Sequence, residues 1–353
     1  MKRIIICIIV LGLLTICNVS STSEGSFSCC QTTYSMFYDS AIDKLLVCCM
    51  GWPGSVNIVD PYYGTIIKQI SSTGNPKAAY SVAQGCQLLV LTSELDQNPK
   101  TEESQLTLFD ISTGQIIDQE PISGWSTDMV IDSFQTYAYV YVGLNPDIYG
   151  SECWLKKFRI SDLTCVLESD IHIECEDLEI TPDGTKLYAQ SGLTSRIIVF
   201  DTADLSIIND EDLKVVYRDF NLKMGYDNRL FVSIGGPYFY NHAHTFYVID
   251  TETDQIIESL DFERNGIDFT DINPITHKLY GLVYTKTSHI LELDQYWYEP
   301  TNRIIEIDLD DYSYEYFTLN ENKYWNIAVA YQNSMNRIFC RVAVSDTIRY
   351  IDR

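Results

Sequence analysis

The chain has 353 residues, 46% hydrophobic and 12% aromatic, which is enough to bury a core and excludes a disordered chain. With 24 Lys and Arg against 49 Asp and Glu, the net charge of −25 excludes the clustered basic footprint that a nucleic-acid partner requires. The length fits either two domains or one large all-β domain.

Lys2 and Arg3 precede an apolar run from Ile4 to Cys17, and Val19 and Ser21 offer small residues for cleavage. Residues 1–21 therefore read as a secretory signal peptide. The run is shorter than the roughly 20 apolar residues of a comfortable span, and no later segment approaches that length, so no membrane span is expected in the mature chain. Bulky Ile16 before Cys17 argues against a lipoprotein signal. Loss of Lys2 and Arg3 takes the net charge from −25 to −27, which makes anionic membrane surfaces poor partners. The single Asn-x-Ser/Thr sequon, Asn18-Val19-Ser20, lies inside the signal, so the mature chain is expected to be secreted without N-glycosylation.

Of the 11 cysteines, Cys7 and Cys17 leave with the signal, and an odd number remains: Cys29, Cys30, Cys48, Cys49, Cys86, Cys153, Cys165, Cys175 and Cys340. At least one lacks an intramolecular partner, although an exported chain is expected to form disulfides. No Cys-x-x-Cys pair supports a zinc ribbon or a redox motif.

Beyond the signal, an apolar run closing on an acidic residue recurs through the chain. It ends at Asp60, Asp110, Asp201, Asp250, Asp308 and Asp352, with a degenerate copy ending at Arg159. In the fourth unit the elements follow in order: strand Asp177–Ile180, tight turn Pro182-Asp183-Gly184, strand Lys186–Ala189, strand Arg196–Asp201 and strand Leu205–Ile208. Period-two alternation and abundant β-branched and aromatic residues are strand chemistry. Four antiparallel strands repeated seven times make an all-β, seven-bladed β-propeller over residues 22–353, since one blade alone cannot bury both faces. The seventh unit ends on its third strand, so Ser26–Thr32 is expected to supply the missing outer strand and close the ring.

Thr181-Pro182-Asp183-Gly184-Thr185-Lys186-Leu187-Tyr188, followed by Arg196–Ile208, resembles the YVTN-type repeats within the WD40-like and quinoprotein-like propeller superfamily. The resemblance covers all units in rhythm but matches in motif mainly in the fourth and fifth. It implies a fold used by scaffolds, binding proteins and a minority of enzymes.

Blade topology places the entrances to first strands and the loops between second and third strands at one end, the top. Trp52, Trp125, Trp154, Trp297 and Trp325 all fall there, with Tyr238, Phe239, Tyr240, Tyr296 and Tyr298 on the long loops Gly235–Asn241 and Thr285–Asn302. These rings either bind a protein, peptide or carbohydrate ligand or pack between blades. Asp128, Asp177, Asp219 and Asp268 open four first strands, and Asn326 another. A ring of carboxylates suits a Ca²⁺ ion, as in sugar-lactone hydrolases of propeller fold, or else caps the strand entrances. His242 and His244 lack a third ligand and read as loop residues. No Gly-x-Ser-x-Gly, His-Glu-x-x-His or phosphate loop supports nucleophilic or P-loop chemistry.

The expected function is a secreted, non-catalytic propeller binding on an aromatic and acidic top face. The alternatives are a Ca²⁺-dependent hydrolase or lactonase and an extracellular scaffold without a small-molecule site. Strand register also proposes a Cys153–Cys175 disulfide. The turn near Ser161-Asp162 sets Cys153 opposite about residue 170 and Cys165 opposite about residue 158. Cys340 is expected to stand one strand away from Cys29 and Cys30, roughly 9–10 Å, and so to lack a partner.

Overall fold

The computed structural model describes residues 24–30, 32–51, 53–93, 103–126, 128–143, 153–169, 177–191, 196–209, 221–233, 238–239, 245–262, 265–290, 295–319, 324–331, 335–342 and 347–353. The signal segment 1–21 lies outside them. No helix among the described residues is long and apolar enough to cross a membrane.

The alternating segments form seven antiparallel blades of four strands, arranged as a ring and numbered from the channel outward. Blade one holds β2 (Thr32–Asp39), β3 (Lys44–Met50), β4 (Ser55–Asp60) and β5 (Thr65–Ser71). Blade two holds β6 (Asn75–Val82), β7 (Gln87–Ser93), β8 (Glu103–Asp110) and β9 (Ile116–Ser123). Blade three is β10 (Met129–Ile131), β11 (Tyr137–Gly143), β12 (Cys153–Arg159) and β13 (Cys165–Glu168). Blade four is β14 (Leu178–Ile180), β15 (Lys186–Ser191), β16 (Arg196–Asp201) and β17 (Ile207–Asn209). Blade five comprises β18 (Asn221–Met224), β19 (Arg229–Ser233), β21 (Thr245–Asp250) and β22 (Gln255–Asp261), with β20 (Tyr238–Phe239) between β19 and β21 in sequence. Blade six comprises β23 (Asn265–Asn273), β24 (Lys278–Ile290), β25 (Gln295–Asp308) and β26 (Tyr314–Thr318). Blade seven is β27 (Tyr324–Ala330), β28 (Arg337–Val342) and β29 (Thr347–Asp352), completed on the outside by β1 (Glu24–Ser28).

The ring closes on the expected blade, but the donor strand runs Glu24–Ser28 rather than Ser26–Thr32. Glu24 pairs with Ile351 and Ser28 with Thr347, whereas Thr32 already opens the innermost strand of blade one. Phe27 anchors the borrowed strand edge-on against Phe339, ring centroids 6.3 Å apart.

The recurrent acidic residue is a turn device. In five blades the third strand ends on it and the carboxylate folds back onto the following hairpin: Asp60 accepts the N–H of Tyr62 and Tyr63, Asp110 that of Thr113, Asp201 that of Ala203, Asp250 those of Glu252 and Thr253, and Asp308 that of Asp310. The residue four positions on has positive φ every time: Gly64, Gly114, Leu163, Leu205, Asp254 and Tyr312. Glycine takes that conformation freely at two of these sites. Leu163 and Leu205 accept the strain because their side chains fill the clefts between neighbouring blades. This explains why β17 begins at Ile207 rather than Leu205, which the turn consumes. In the degenerate third copy, Arg159 replaces the acid and Asp162 caps the turn through Thr164 N–H.

Apolar second and third strands bury completely between blades, in clusters that each draw on neighbouring units. One joins Tyr139, Tyr141 and Leu155 of blade three to Leu178, Leu187 and Phe200 of blade four. Basic residues opening second strands grip the next blade's outer turn. Lys186 Nζ donates to Thr251 O and Asp254, Arg229 to Leu309 O, and Arg337 to Pro61 O and Tyr62 O across the closing joint. The outer strands, by contrast, expose isoleucines in pairs. Ile66 and Ile67, Ile116 and Ile117, and Ile256 and Ile257 are 41–53% exposed.

A disulfide joins Cys30 and Cys49, with Cα atoms 5.8 Å apart. It staples the linker between β1 and β2 to the second strand of blade one, a pairing not anticipated from the strand spacing. Cys175 lies outside the described residues. Cys153 is buried and accepts a 2.7 Å hydrogen bond from Tyr141 Oη, while Cys165 pairs with Phe158 as the register requires. Cys340 is buried and free, one strand removed from β1.

Because β1 completes blade seven, deleting residues 22–28 exposes the edge of β29 and the ring of Phe339. The expected loss is a fall of roughly 5–10 °C in the thermal midpoint. An unchanged midpoint in a cooperative melt would show that the ring does not depend on this strand.

Candidate functional site

First strands face the channel, and alternate residues along them point into it. Asp128, just before β10, accepts the N–H of Met129 at 2.8 Å and, across the blade boundary, that of Leu178 at 2.9 Å. Asp177 repeats the move one blade on, accepting Leu222 N–H at 2.6 Å. Asp268 accepts from Asn221 Nδ2 at 2.6 Å and from Tyr284 Oη at 3.4 Å. Asp271 accepts Val329 N–H at 2.8 Å. Earlier in the ring, Asp39 accepts Ser81 N–H at 2.8 Å and Tyr80 Oη donates to Met129 O at 2.9 Å. The innermost strands are thereby stitched from blade one through blade seven. An inner strand has no neighbour on its channel side, so its outward N–H groups need acceptors, and these side chains supply them.

Three of the four acidic residues proposed from the sequence, Asp128, Asp177 and Asp268, thus sit on the channel wall and serve as clasps between blades. Asp219 lies outside the described residues, and Asn221 occupies the start of that first strand. Among the described residues, Cys29, Cys30 and Cys49 form the one group of three potential metal ligands with donor atoms within 4.8 Å of one another. The carboxylates do not form such a group. Two of these sulfurs are already joined to each other, so the set does not fit a resident metal.

The sequence reading missed the next layer down. Glu179 follows Asp177 by two residues and Lys223 follows Asn221 by two, the strand period that carries both toward the channel. Lys223 Nζ stands 3.6 Å from Glu179 Oε1. Burial is the main influence on these acids. It pushes Asp128 up to about 6, against the Leu178 and Met129 N–H groups and Lys223; Glu179 to about 7, against Lys223; and Asp268 to about 7, against Tyr284. Asp177 and Asp271 are raised for the same reason, and Asp128 and Glu179 add repulsion at Asp177. Burial alone would lower Lys223, but Glu179, Asp271 and Asp177 hold its ammonium above the usual value. At the far end of the channel, Tyr226 Oη and Tyr331 Oη share a 3.2 Å hydrogen bond, and Tyr331 packs edge-on against Tyr38.

The top rim is built by two insertions meeting. β24 and β25 continue far beyond their blade as one hairpin, so Thr285–Asn302, expected as a loop, is mostly ladder. β20, from blade five, pairs with it. Tyr238 lies opposite Trp297 and Phe239 opposite Tyr296, while Lys286 lies opposite Tyr298 on the hairpin's other side. Backbone pairing thus gathers proposed binding residues from two distant loops into one three-stranded ribbon. Trp325 falls within β27. Trp125 has a packing role: it is half-buried, edge-on to Tyr141 at 5.9 Å, pairs with Gly143 through its backbone, and buries an Nε1–H with no partner among the described residues. A Cβ at Gly143 would meet the indole at 2.6 Å. Trp154 is half-buried in β12 opposite Val142. Trp52, Tyr240, His242 and His244 lie outside the described residues.

The ring of four-stranded blades defines the chain as an all-β propeller. No family model matches the sequence, and no curated protein matches it. Among solved structures, it is similar to the β-propeller domain of Cps50 (Swd1) from Myceliophteria thermophila. The two share 10% identity and a TM-score of 0.66 over 93% of this chain and 98% of that one. At that identity the likeness shows the fold alone.

Acids whose folded pKa is raised bind more protons folded than unfolded. Their contribution to stability is full below about 4 and is lost as pH rises through 6–7. Thermal midpoints in low-salt buffer are therefore expected to fall between pH 5 and 7.5. Asp177→Asn keeps an acceptor for Leu222 N–H without the charge, so it should be at least as stable as wild type at pH 7.5. A midpoint rising with pH across this window would refute the buried-acid account.

Proposed function

We propose that the protein is a secreted, non-catalytic propeller, built from YVTN-type repeats, that recognises a protein partner through its top rim. The supporting observation is the β20–β25 ladder. Tyr238 and Trp297 are adjacent because two insertions from different blades pair with each other, not because either is long. A ribbon ordered before the partner arrives does not lose that entropy on binding, and aromatic residues are the side chains that most often dominate interfaces. The Cys30–Cys49 disulfide is in keeping with export, as is the apolar leader at residues 4–17. Asp128, Asp177 and Asp268 each accept hydrogen bonds that tie blades together. Their clasp role accounts for the acids without an ion, which supports binding over Ca²⁺-dependent hydrolysis.

The test pairs wild type with a Trp297→Ala/Tyr298→Ala variant on arrays of extracellular proteins, with glycan and peptide arrays in parallel. A protein hit weakened about 30-fold or more in the variant at an unchanged thermal midpoint is expected. Equal binding by both would overturn the rim as the site. Hits confined to glycans would replace a protein partner with a carbohydrate one.

A further inference from the structure

The joint that closes the ring carries more sulfur than a staple needs. Cys29 and Cys30 occupy the short linker between β1 and β2, and Cys49 lies in β3, opposite Thr33. The Cys30–Cys49 bond leaves Cys29 as a thiol, and all three sulfurs lie within 4.8 Å of one another. Fully buried Asn57, in β4, stands beneath them. Its Nδ2 donates to Cys29 Sγ and to Cys49 Sγ, both at 3.3 Å, and to Cys29 O at 3.2 Å. One amide therefore holds the thiol and one half of the disulfide side by side.

We propose that Cys29, Cys30 and Cys49 form a thiol–disulfide exchange site in which the staple moves between Cys30–Cys49 and Cys29–Cys49. The Cys29 thiol loses its proton to water and its thiolate attacks Cys49 Sγ. The Cys29–Cys49 bond forms as the Cys30–Cys49 bond breaks, and Cys30 leaves as a thiolate that takes up a proton. One disulfide and one thiol exist before and after, so no oxidant or reductant enters. Thr33 Oγ1, 3.4 Å from Cys30 Sγ, is placed to donate to the departing sulfur. Attack on Cys30 is disfavoured because adjacent Cα atoms are about 3.8 Å apart, closer than the roughly 4.4–6.8 Å of ordinary disulfides. Cys48 takes no part. It neighbours Cys49 in the strand but projects into the opposite face, among Leu46, Val56 and Leu88.

The linker stays attached to blade one in both pairings, so closure survives while the free thiol changes address. Cys29 and Cys30 are both partly exposed, and Cys49 is 2% exposed. Exchange therefore alternates which linker sulfur is available to solvent without opening the ring.

The experiment uses the folded protein equilibrated at pH 8 without added thiol, quenched in acid, alkylated and mapped by fragmentation that separates Cys29 from Cys30. In wild type, label at both Cys29 and Cys30 in complementary amounts is expected, with Cys49 unlabelled. In Cys30→Ser refolded in glutathione buffer, a Cys29–Cys49 disulfide is expected. Label confined to Cys29 in wild type would overturn the proposal. So would a folded Cys30→Ser protein with Cys29 and Cys49 both alkylated. Should that variant not fold, the wild-type labelling decides alone.

Discussion

A blade of four strands has two apolar faces and can cover neither by itself, so every blade depends on both neighbours. That dependence makes the joint between blades seven and one the point on which the rest rests. The chain secures it in four independent ways: the β1–β29 ladder, Phe27 against Phe339, Arg337 reaching Pro61 O and Tyr62 O, and the Cys30–Cys49 bond. Among the described residues this bond is the one disulfide. It reinforces the β2–β3 hairpin at the point where the chain arrives from β1.

The heavy excess of acid is divided among distinct tasks. Acids at the ends of third strands lie at the surface, where the hairpin groups they accept hold Asp250 low through Thr253 and take Asp110 to about 2, chiefly through Ser112 and Thr113. Acids on the channel wall do the same capping between blades, where burial opposes their charge. The few cations are concentrated where they neutralise something. Lys223 faces Glu179, and Arg353 and Lys278 converge on Glu306, whose carboxyl they hold low against the opposing effect of burial. One residue type thus performs two structural roles, distinguished by its depth in the ring.

Much of this was legible in the residues because the repeat is mechanical. Six apolar runs end on Asp, and those six aspartates are the last residues of β4, β8, β16, β21, β25 and β29; even the degenerate copy ends β12 at Arg159. Period and turn chemistry repeat together, so errors of register would have shown up as broken rhythm. Asp128 and Asp177 were legible as channel residues but not as clasps between blades, since their partners across the boundary are backbone N–H groups 50 and 45 residues away. The pairing of β20 with β25 was invisible for a related reason. It joins insertions that depart from the repeat, and rhythm says nothing about where departures meet. Cys30–Cys49 escaped because it bridges a linker and a strand, whereas ladder arithmetic relates strands to strands.

The paired isoleucines on the outer strands give the acidic surface a further meaning. Each pair lies on the last strand of its blade, where ladder hydrogen bonding has no further neighbour, and an apolar edge of that kind is a template for chain-to-chain addition. What keeps such rims apart in solution is mutual repulsion between molecules that are all strongly negative. Acidification removes that repulsion only as the surface carboxylates protonate at about pH 4, below the 6–7 range in which the buried channel acids have already become neutral and the fold has tightened. On acidification, folding stability therefore rises first and colloidal stability falls after it. The conditions that best preserve a single ring are those in which many rings most readily coalesce.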